Sequence, residues 1–313
     1  VGLQAYSRFV ESAVKTMANG ISPITRQMTA PYLTIKEFKN APTALDYGNL
    51  VVGGNQSAQD AELNNAILRA SSWMDQYCNQ IIGATTNTEQ QRVRTKPDGT
   101  LRIHPKYFPV VALTNLEYGT TPQNLVNAGD CSVAWFEEQQ IIFPYSQLPT
   151  TMSSQGPLSF GFPGTPGREI FVNYTYVNGY TNTTLATDST LGASTITVDS
   201  GTGIVPGEML TIYDGASTER VVVDSTYTFG STTVPLADPT LYAHTAKVSV
   251  SALPAAVKEA AILVTSTFLK IRGDSALVLA VTNTPGTQVD GSQAMGNDLA
   301  IAQMLLKPFR RIR

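Results

Sequence analysis

Apolar and polar positions follow two different periods along this chain, and the changes of period divide it into blocks. Near the start, Leu3, Tyr6, Phe9, Val10, Ala13 and Met17 fall on a helical stripe that Gly20 would end. Thr34 with Glu37, in Tyr32-Leu-Thr-Ile-Lys-Glu-Phe38, is a capping-box pattern and predicts a short helix. Pro42, Gly48, Gly53 and Gly54 then mark a loop. From 58 to 82, Leu63, Ile67, Ala70, Met74, Tyr77 and Ile81 recur at three- and four-residue spacing. That spacing predicts an amphipathic helix, capped by Ser57 with Asp60 and stopped by Gly83. Cys78 lies beside the apolar face and is expected to be an inert core thiol.

Beyond residue 90 the period shortens to two. Leu101–His104, Val110–Tyr118, Ser132–Phe136, Gln140–Phe143 and Glu169–Val177 read as strands, with Pro97-Asp-Gly99 a turn and 146–167 a long Pro/Gly/Ser loop. Residues 183–252 are rich in Thr, Ser, Val, Asp and Gly, with alternating strands at Thr195–Asp199, Met209–Tyr213, Arg220–Asp224 and Thr232–Leu236. Within them Gly192-Ala-Ser-Thr-Ile-Thr-Val-Asp199 faintly echoes Gly230-Ser-Thr-Thr-Val-Pro-Leu-Ala-Asp238, as expected of a small barrel or sandwich of similar hairpins.

Helical spacing returns over 254–272, with Pro254 at the first helical position, a stripe of Val257, Ala260, Ala261, Val264, Phe268 and Ile271, and Gly273 as the stop. A polar linker, Thr282–Gly296, leads to a helix over 297–306 and a basic tail. The fold class is therefore α+β: helix, five strands, an inserted all-β domain of barrel or sandwich type, and then helices that end in a C-terminal helical arm. The boundaries are an N-terminal extension at 1–30, a core of 31–182 and 253–281, an inserted β domain at 183–252, and a linker with a basic arm at 282–313. The ends of the insert must lie close together, because it interrupts one parent domain.

Charge and composition narrow the function. Only 14% of the residues are charged and the net charge is −3, which argues against a basic nucleic-acid binder. The 183–252 segment is acidic, with seven acids against Arg220 and Lys247. Two cysteines and two histidines leave no disulfide scaffold and little metal chemistry. No apolar run is long enough to cross a membrane, and the first residues do not read as a secretory signal.

Catalytic motifs fail one by one. Gly273-Asp-Ser-Ala-Leu277 imitates a lipase-type nucleophile block, but it follows a helix and no histidine occurs after His244. Arg272-Gly-Asp274 is a chance tripeptide at a helix end. Asn173-Tyr-Thr and Asn182-Thr-Thr are sequons without a secretory signal. Gly161–Gly167 lacks the Lys-Ser/Thr ending of a phosphate loop. His104 and His244 are read as surface or hydrogen-bonded residues, and the insert's acids as a solvated face. No catalytic residue, cofactor or metal is expected, and the chain is not read as an enzyme. The tail holds Lys307, Arg310, Arg311 and Arg313 within seven residues. It is either a solvated end or an arm that docks on a partner, with Phe309 and the apolar helix before it favouring the arm.

Four blocks then assemble into a resemblance. They are Tyr32–Ala44, Ala61–Cys78 (with Arg69-Ala-Ser-Ser-Trp-Met-Asp-Gln-Tyr-Cys78), Phe171-Val-Asn-Tyr-Thr-Tyr-Val-Asn-Gly-Tyr180, and Leu253-Pro-Ala-Ala-Val-Lys-Glu-Ala-Ala261 with Leu305-Leu-Lys-Pro-Phe-Arg-Arg311. In this order the chain resembles the head-to-tail adaptor (connector) proteins of long-tailed, siphovirus-type bacteriophages. The match covers 31–310 and leaves out the first 30 residues. The resemblance implies a small helical bundle with a β part, in a virion protein, assembled in the host cytoplasm, that forms a homo-oligomeric ring beneath the portal protein, usually of twelve subunits. It implies an arm reaching the portal and a lower face receiving a stopper or tail-terminator protein, with DNA passing through the lumen without sequence-specific binding and no membrane involved. The docking residues expected on the arm are Met304, Leu305, Lys307, Phe309, Arg310, Arg311 and Arg313. The lumen is expected to be neutral or acidic, the insert to project outward, and removal of 297–313 to detach the subunit from the portal without unfolding it. The alternative is a β-rich carbohydrate- or surface-binding tail or decoration protein.

Overall fold

The computed structural model describes residues 31–43, 45, 50–137, 139–144, 169–281 and 291–311, with the backbone alone over 271–281 and 291–297. The expected helix over residues 1–30, the loop at 146–167 and Arg313 lie outside the described residues. The fold is mixed α+β, with several antiparallel sheets and a few helices.

The elements follow local chemistry. Thr34 caps α1 (Ile35–Asn40) by accepting from Glu37 N, while the Glu37 carboxylate accepts from Thr34 N, so the capping box is formed. Helix α2 (Gln56–Cys78) is capped by Asn55, not Ser57, because Asn55 Oδ1 accepts from Ala58 N at 3.0 Å. Asp60, expected to help cap it, instead pairs with Lys39 of α1. The helix ends at Cys78, earlier than Gly83, because Asn79 takes the left-handed conformation at φ +54°. The freed residues turn into β1 (Thr85–Arg94), a strand that helical spacing in the preceding block concealed.

The first β layer continues with β2 (Thr100–Ile103), β3 (Val110–Gly119), β4 (Val126–Asn127), β5 (Trp135–Glu137), β6 (Gln140–Pro144) and β7 (Glu169–Asn178). The expected strand at Ser132–Phe136 is divided, since Asp130 caps a 3-10 turn over Cys131–Val133 and only Trp135 onward is extended. The orders are β1-β7-β3-β4 and β2-β6-β5. Inward residues of these strands, among them Leu101, Leu116, Phe143, Val172 and Tyr176, make one hydrophobic cluster. At its rim the buried Glu89 carboxylate accepts from Tyr174 Oη (3.0 Å) and Tyr176 Oη (2.7 Å).

A second β group holds β8 (Asn182–Thr184), β9 (Thr195–Thr197), β10 (Met209–Tyr213), β11 (Glu219–Val222), β12 (Thr233–Pro235) and β13 (Ser249–Ser251). They pair as β11-β10-β13-β8 and β12-β9 around a cluster of their own, drawn from residues 185–250. β8 and β13 are antiparallel neighbours, Asn182 opposite Ser251, so the chain enters and leaves this group side by side.

Helix α3 (Ala255–Val281) runs through Gly273 instead of ending there. A glycine inside a helix costs about 1 kcal/mol, which a long packed helix offsets. Pro254 stands immediately before the helix, one position earlier than expected, with its carbonyl accepting from Val257 N (2.9 Å) and Lys258 N (3.3 Å). Helix α4 (Gly291–Leu306) begins within the segment read as a linker. The four helices share a core of Phe38, Leu63, Ile67, Met74, Val257, Val264, Ala302 and Leu306.

The two β groups and the helices are joined by buried polar contacts. Tyr32 Oη, on Asp75, accepts from Ile82 N (2.9 Å) and Gly83 N (3.2 Å), which ties the start of the described chain to the exit of α2. Lys258 of α3 reaches Glu37 Oε1 (2.7 Å) and Ser249 Oγ (3.1 Å), with its ammonium 4.5 Å from the Tyr213 ring centroid.

Candidate functional site

The segment that carries the expected docking residues is folded back on the chain. Pro308 ends α4 in a 3-10 turn, Lys307–Phe309, and the next residues run beside the end of α2. Arg311 N donates to Cys78 O (2.8 Å), Gln80 Nε2 to Phe309 O (2.9 Å), and Asn79 Nδ2 to Arg311 O (3.3 Å). A helix leaves its last carbonyls unpaired, and here the tail supplies a partner for one of them. Cys78 is fully buried between α2 and Leu306, and burial, aided by Asp75 and opposed by Arg310, pushes its thiol up to about 12. It stays a thiol at neutral pH, which makes it a packing group and not a nucleophile.

Aromatic rings receive the rest of the tail. Phe309 meets Tyr180 edge to face at 6.1 Å. The Arg310 guanidinium lies 5.3 Å from the Tyr77 ring, which stacks on Trp73 at 5.6 Å, and Arg311 lies 5.2 Å from Tyr107. Neither guanidinium has a carboxylate within ion-pair distance among the described residues. Between the tail and the β5–β6 hairpin lies a cleft of about 590 Å³, lined by Phe108, Phe136, Glu137, Tyr180, Phe309 and Arg311 among others.

The expected docking residues thus divide by exposure. Met304 (74% exposed), Lys307 and Arg310 face solvent. Leu305, Phe309 and Arg311 are half-buried against the chain itself. Sequence reading missed Ile301, 46% exposed one turn before Met304 and therefore on the same face of α4. It also missed the receiving rings Tyr77, Tyr107 and Tyr180. Ile301 had a signal in its spacing from Met304, whereas the rings lie more than a hundred residues away in sequence and had none.

Other candidates find local explanations. Asn182 Nδ2 bonds Pro31 O (3.0 Å) and Asn173 Nδ2 bonds Glu117 Oε2 (2.9 Å), so both sequon asparagines serve the fold. Gly273-Asp-Ser lies inside α3, in place of the expected helix stop. His104 is exposed, while His244 is buried between Asp214 and Glu219. Among the described residues no group of His, Cys, Asp and Glu is arranged to hold a metal ion, and no helix is long and apolar enough to cross a membrane.

No protein-family model matches the chain, and no curated protein or solved structure matches it either.

Proposed function

We propose that this chain is a structural protein of a bacteriophage neck, an adaptor whose copies close into a ring that docks on the portal, extends the DNA channel and joins head to tail. In this reading 31–182 and 253–281 form the adaptor core, 183–252 is an inserted β domain, and 282–313 is the docking arm. The observation that carries it is the C-terminal segment. Its backbone is held on the end of α2 while Ile301, Met304, Lys307 and Arg310 are presented outward. An apolar stripe edged by cations, on a pre-ordered segment, can bind a partner without a large ordering cost. The partner would be the portal, with a stopper or tail-terminator protein on the opposite face. A ring requires head-to-tail contacts that close, and DNA moving through it requires a lumen without a continuous Arg/Lys lining.

The test is mass measurement of the protein alone and mixed with portal, followed by electron microscopy of particle necks. A closed ring on the portal with density for residues 297–313 against it is the expected result. Absence of portal binding, with the protein located elsewhere, would overturn the reading. Deleting 297–313 is a poor probe, because Ala302 and Leu306 belong to the helical core and their loss would unfold the subunit. Substitutions at the exposed stripe are the better choice.

A second reading, a glycan- or surface-binding module, is favoured by exposed rings at Trp135 (41%), Phe136 (39%) and Tyr242 (44%). It predicts glycan affinity and no portal binding.

A further inference from the structure

The faint echo between 192–199 and 230–238 extends through the whole second β group once its hydrogen bonds are compared. Asp199 N donates to Thr184 O and Ala186 N to Thr197 O; likewise Ala237 N donates to Val222 O and Asp224 N to Pro235 O. Each number in the second set is the first plus 38. The two stretches pair with each other under the same rule, Val198 N on Thr232 O and Leu236 N on Ser194 O, with Ile196 opposite Val234 at the centre. On the other side Ser249 opposes Thr184 as Met209 opposes Val222, with an offset of 40 between the strands β10 and β13.

Buried residues match as well: Leu185 with Val223, Val198 with Leu236, Leu210 with Val250. A backbone exception also matches, Lys247 at φ +67° standing where the other half has Gly207 at φ +77°. Unrelated hairpins would not share two fixed offsets along both ladders.

The halves diverge in chemistry at a matched interior position. Three residues before Gly207 the first half buries Ile204, and three residues before Lys247 the second buries His244. The His244 Nε2 is 2.6 Å from Glu219 Oε1 on β11, and Nδ1 is 3.2 Å from Asp214 Oδ2 after β10. Both ring nitrogens therefore face carboxylate oxygens at hydrogen-bond distance, one on each side of the imidazole. Asp214 is paired with Lys36 of α1, whose ammonium also reaches Thr245 Oγ1 at 3.4 Å. Glu219 accepts from Leu241 N and Tyr242 N, and Asp188 accepts from Ala246 N. On the helical side, Glu37 and Lys258 pair with each other near Tyr213.

We propose that residues 182–252 are a tandem duplication of one β unit, and that the second copy has exchanged an aliphatic core residue for His244 to latch the module onto the helices through Lys36, Asp214 and Glu219. The ring bridges the two carboxylates, and Asp214 passes the link on to Lys36 of α1. The inference is independent of the adaptor reading.

Hydrogen exchange on the full-length protein tests it. His244→Ile, which installs the sister residue, should lower protection of the Ser217 and Thr218 amides by about tenfold while Leu210–Ile212 stay protected. Lys36→Met, a half-exposed site, should lower protection of the same two amides with the module core intact. Unchanged Ser217 and Thr218 protection in either variant would overturn the latch. Loss of Leu210–Ile212 protection in His244→Ile would overturn the equivalence of the two copies.

Discussion

The Lys258 ammonium and the Glu37 carboxylate meet at 2.7 Å with their side chains 7% and 8% exposed, joining α3 to the first turn of α1. Glu37 is used twice, since its other oxygen closes the capping box. Burial lowers the Lys258 pKa, and Glu37 opposes that fall. Lys258→Met should destabilise the protein by about 3–5 kcal/mol, because it strands a buried carboxylate. The double variant Lys258→Met/Glu37→Gln should recover part of the loss. Urea unfolding midpoints measure both, and a single variant as stable as the parent would show that the pair contributes little.

Glu208 supplies a pH signature. Its carboxylate accepts from Thr181 Oγ1 and Val205 N, yet burial outweighs these bonds and pushes its pKa up to about 7. A folded-state value above the unfolded 4.5 means that the folded state holds the proton more tightly. Stability from this group is present below pH 4.5 and is lost as pH rises through 7. Glu208→Gln should therefore flatten the stability profile between pH 5 and 8, gaining about 1–2 kcal/mol at the upper end. Thermal melts across that range would reveal an unchanged slope if this assignment is wrong.

Gly179 is irreplaceable on steric grounds. It adopts φ +95°, and a Cβ there would run into the carbonyls of Gly83 and Ile82, where the chain crosses between the two β groups. Gly179→Ala should cost about 2–5 kcal/mol. A melting temperature equal to the parent's would contradict the close approach.

The exposed and half-buried parts of the C-terminal segment should respond differently. Met304→Asp should leave stability within about 0.5 kcal/mol and, under the proposed adaptor function, weaken portal binding at least tenfold. Phe309→Ala removes the contact with Tyr180 and should cost about 1–3 kcal/mol of stability. Calorimetry and a portal pull-down separate the two effects, and equal behaviour of the two variants would remove the distinction.

Much of the architecture was legible from local pattern. The capping box at Thr34, the α2 stripe and the Met209–Tyr213 strand are each written in adjacent residues. Misreadings arose where a second signal competed. Asn79 can adopt the left-handed conformation and ended α2 before the glycine that sequence favours. Gly273 reads as a helix stop and Thr282–Gly296 as a linker, yet a long packed helix tolerates the glycine, and α4 begins within the linker segment at Gly291. At the C-terminal segment the outward residues followed from helical spacing. The rings that receive the tail, and the carboxylates around His244, come from distant parts of the chain and left no local trace.

The pairing of β8 with β13 also has a mechanical meaning. The body holds the second β group by two chain ends that lie side by side at one end of an antiparallel ladder, so tension between residues 181 and 252 would load its hydrogen bonds one at a time, beginning with Ala252 N on Thr181 O. A ladder pulled in that direction opens like a zipper at low force. Under strain the body can therefore release this group from its anchoring end while the β10–β11 hairpin stays closed.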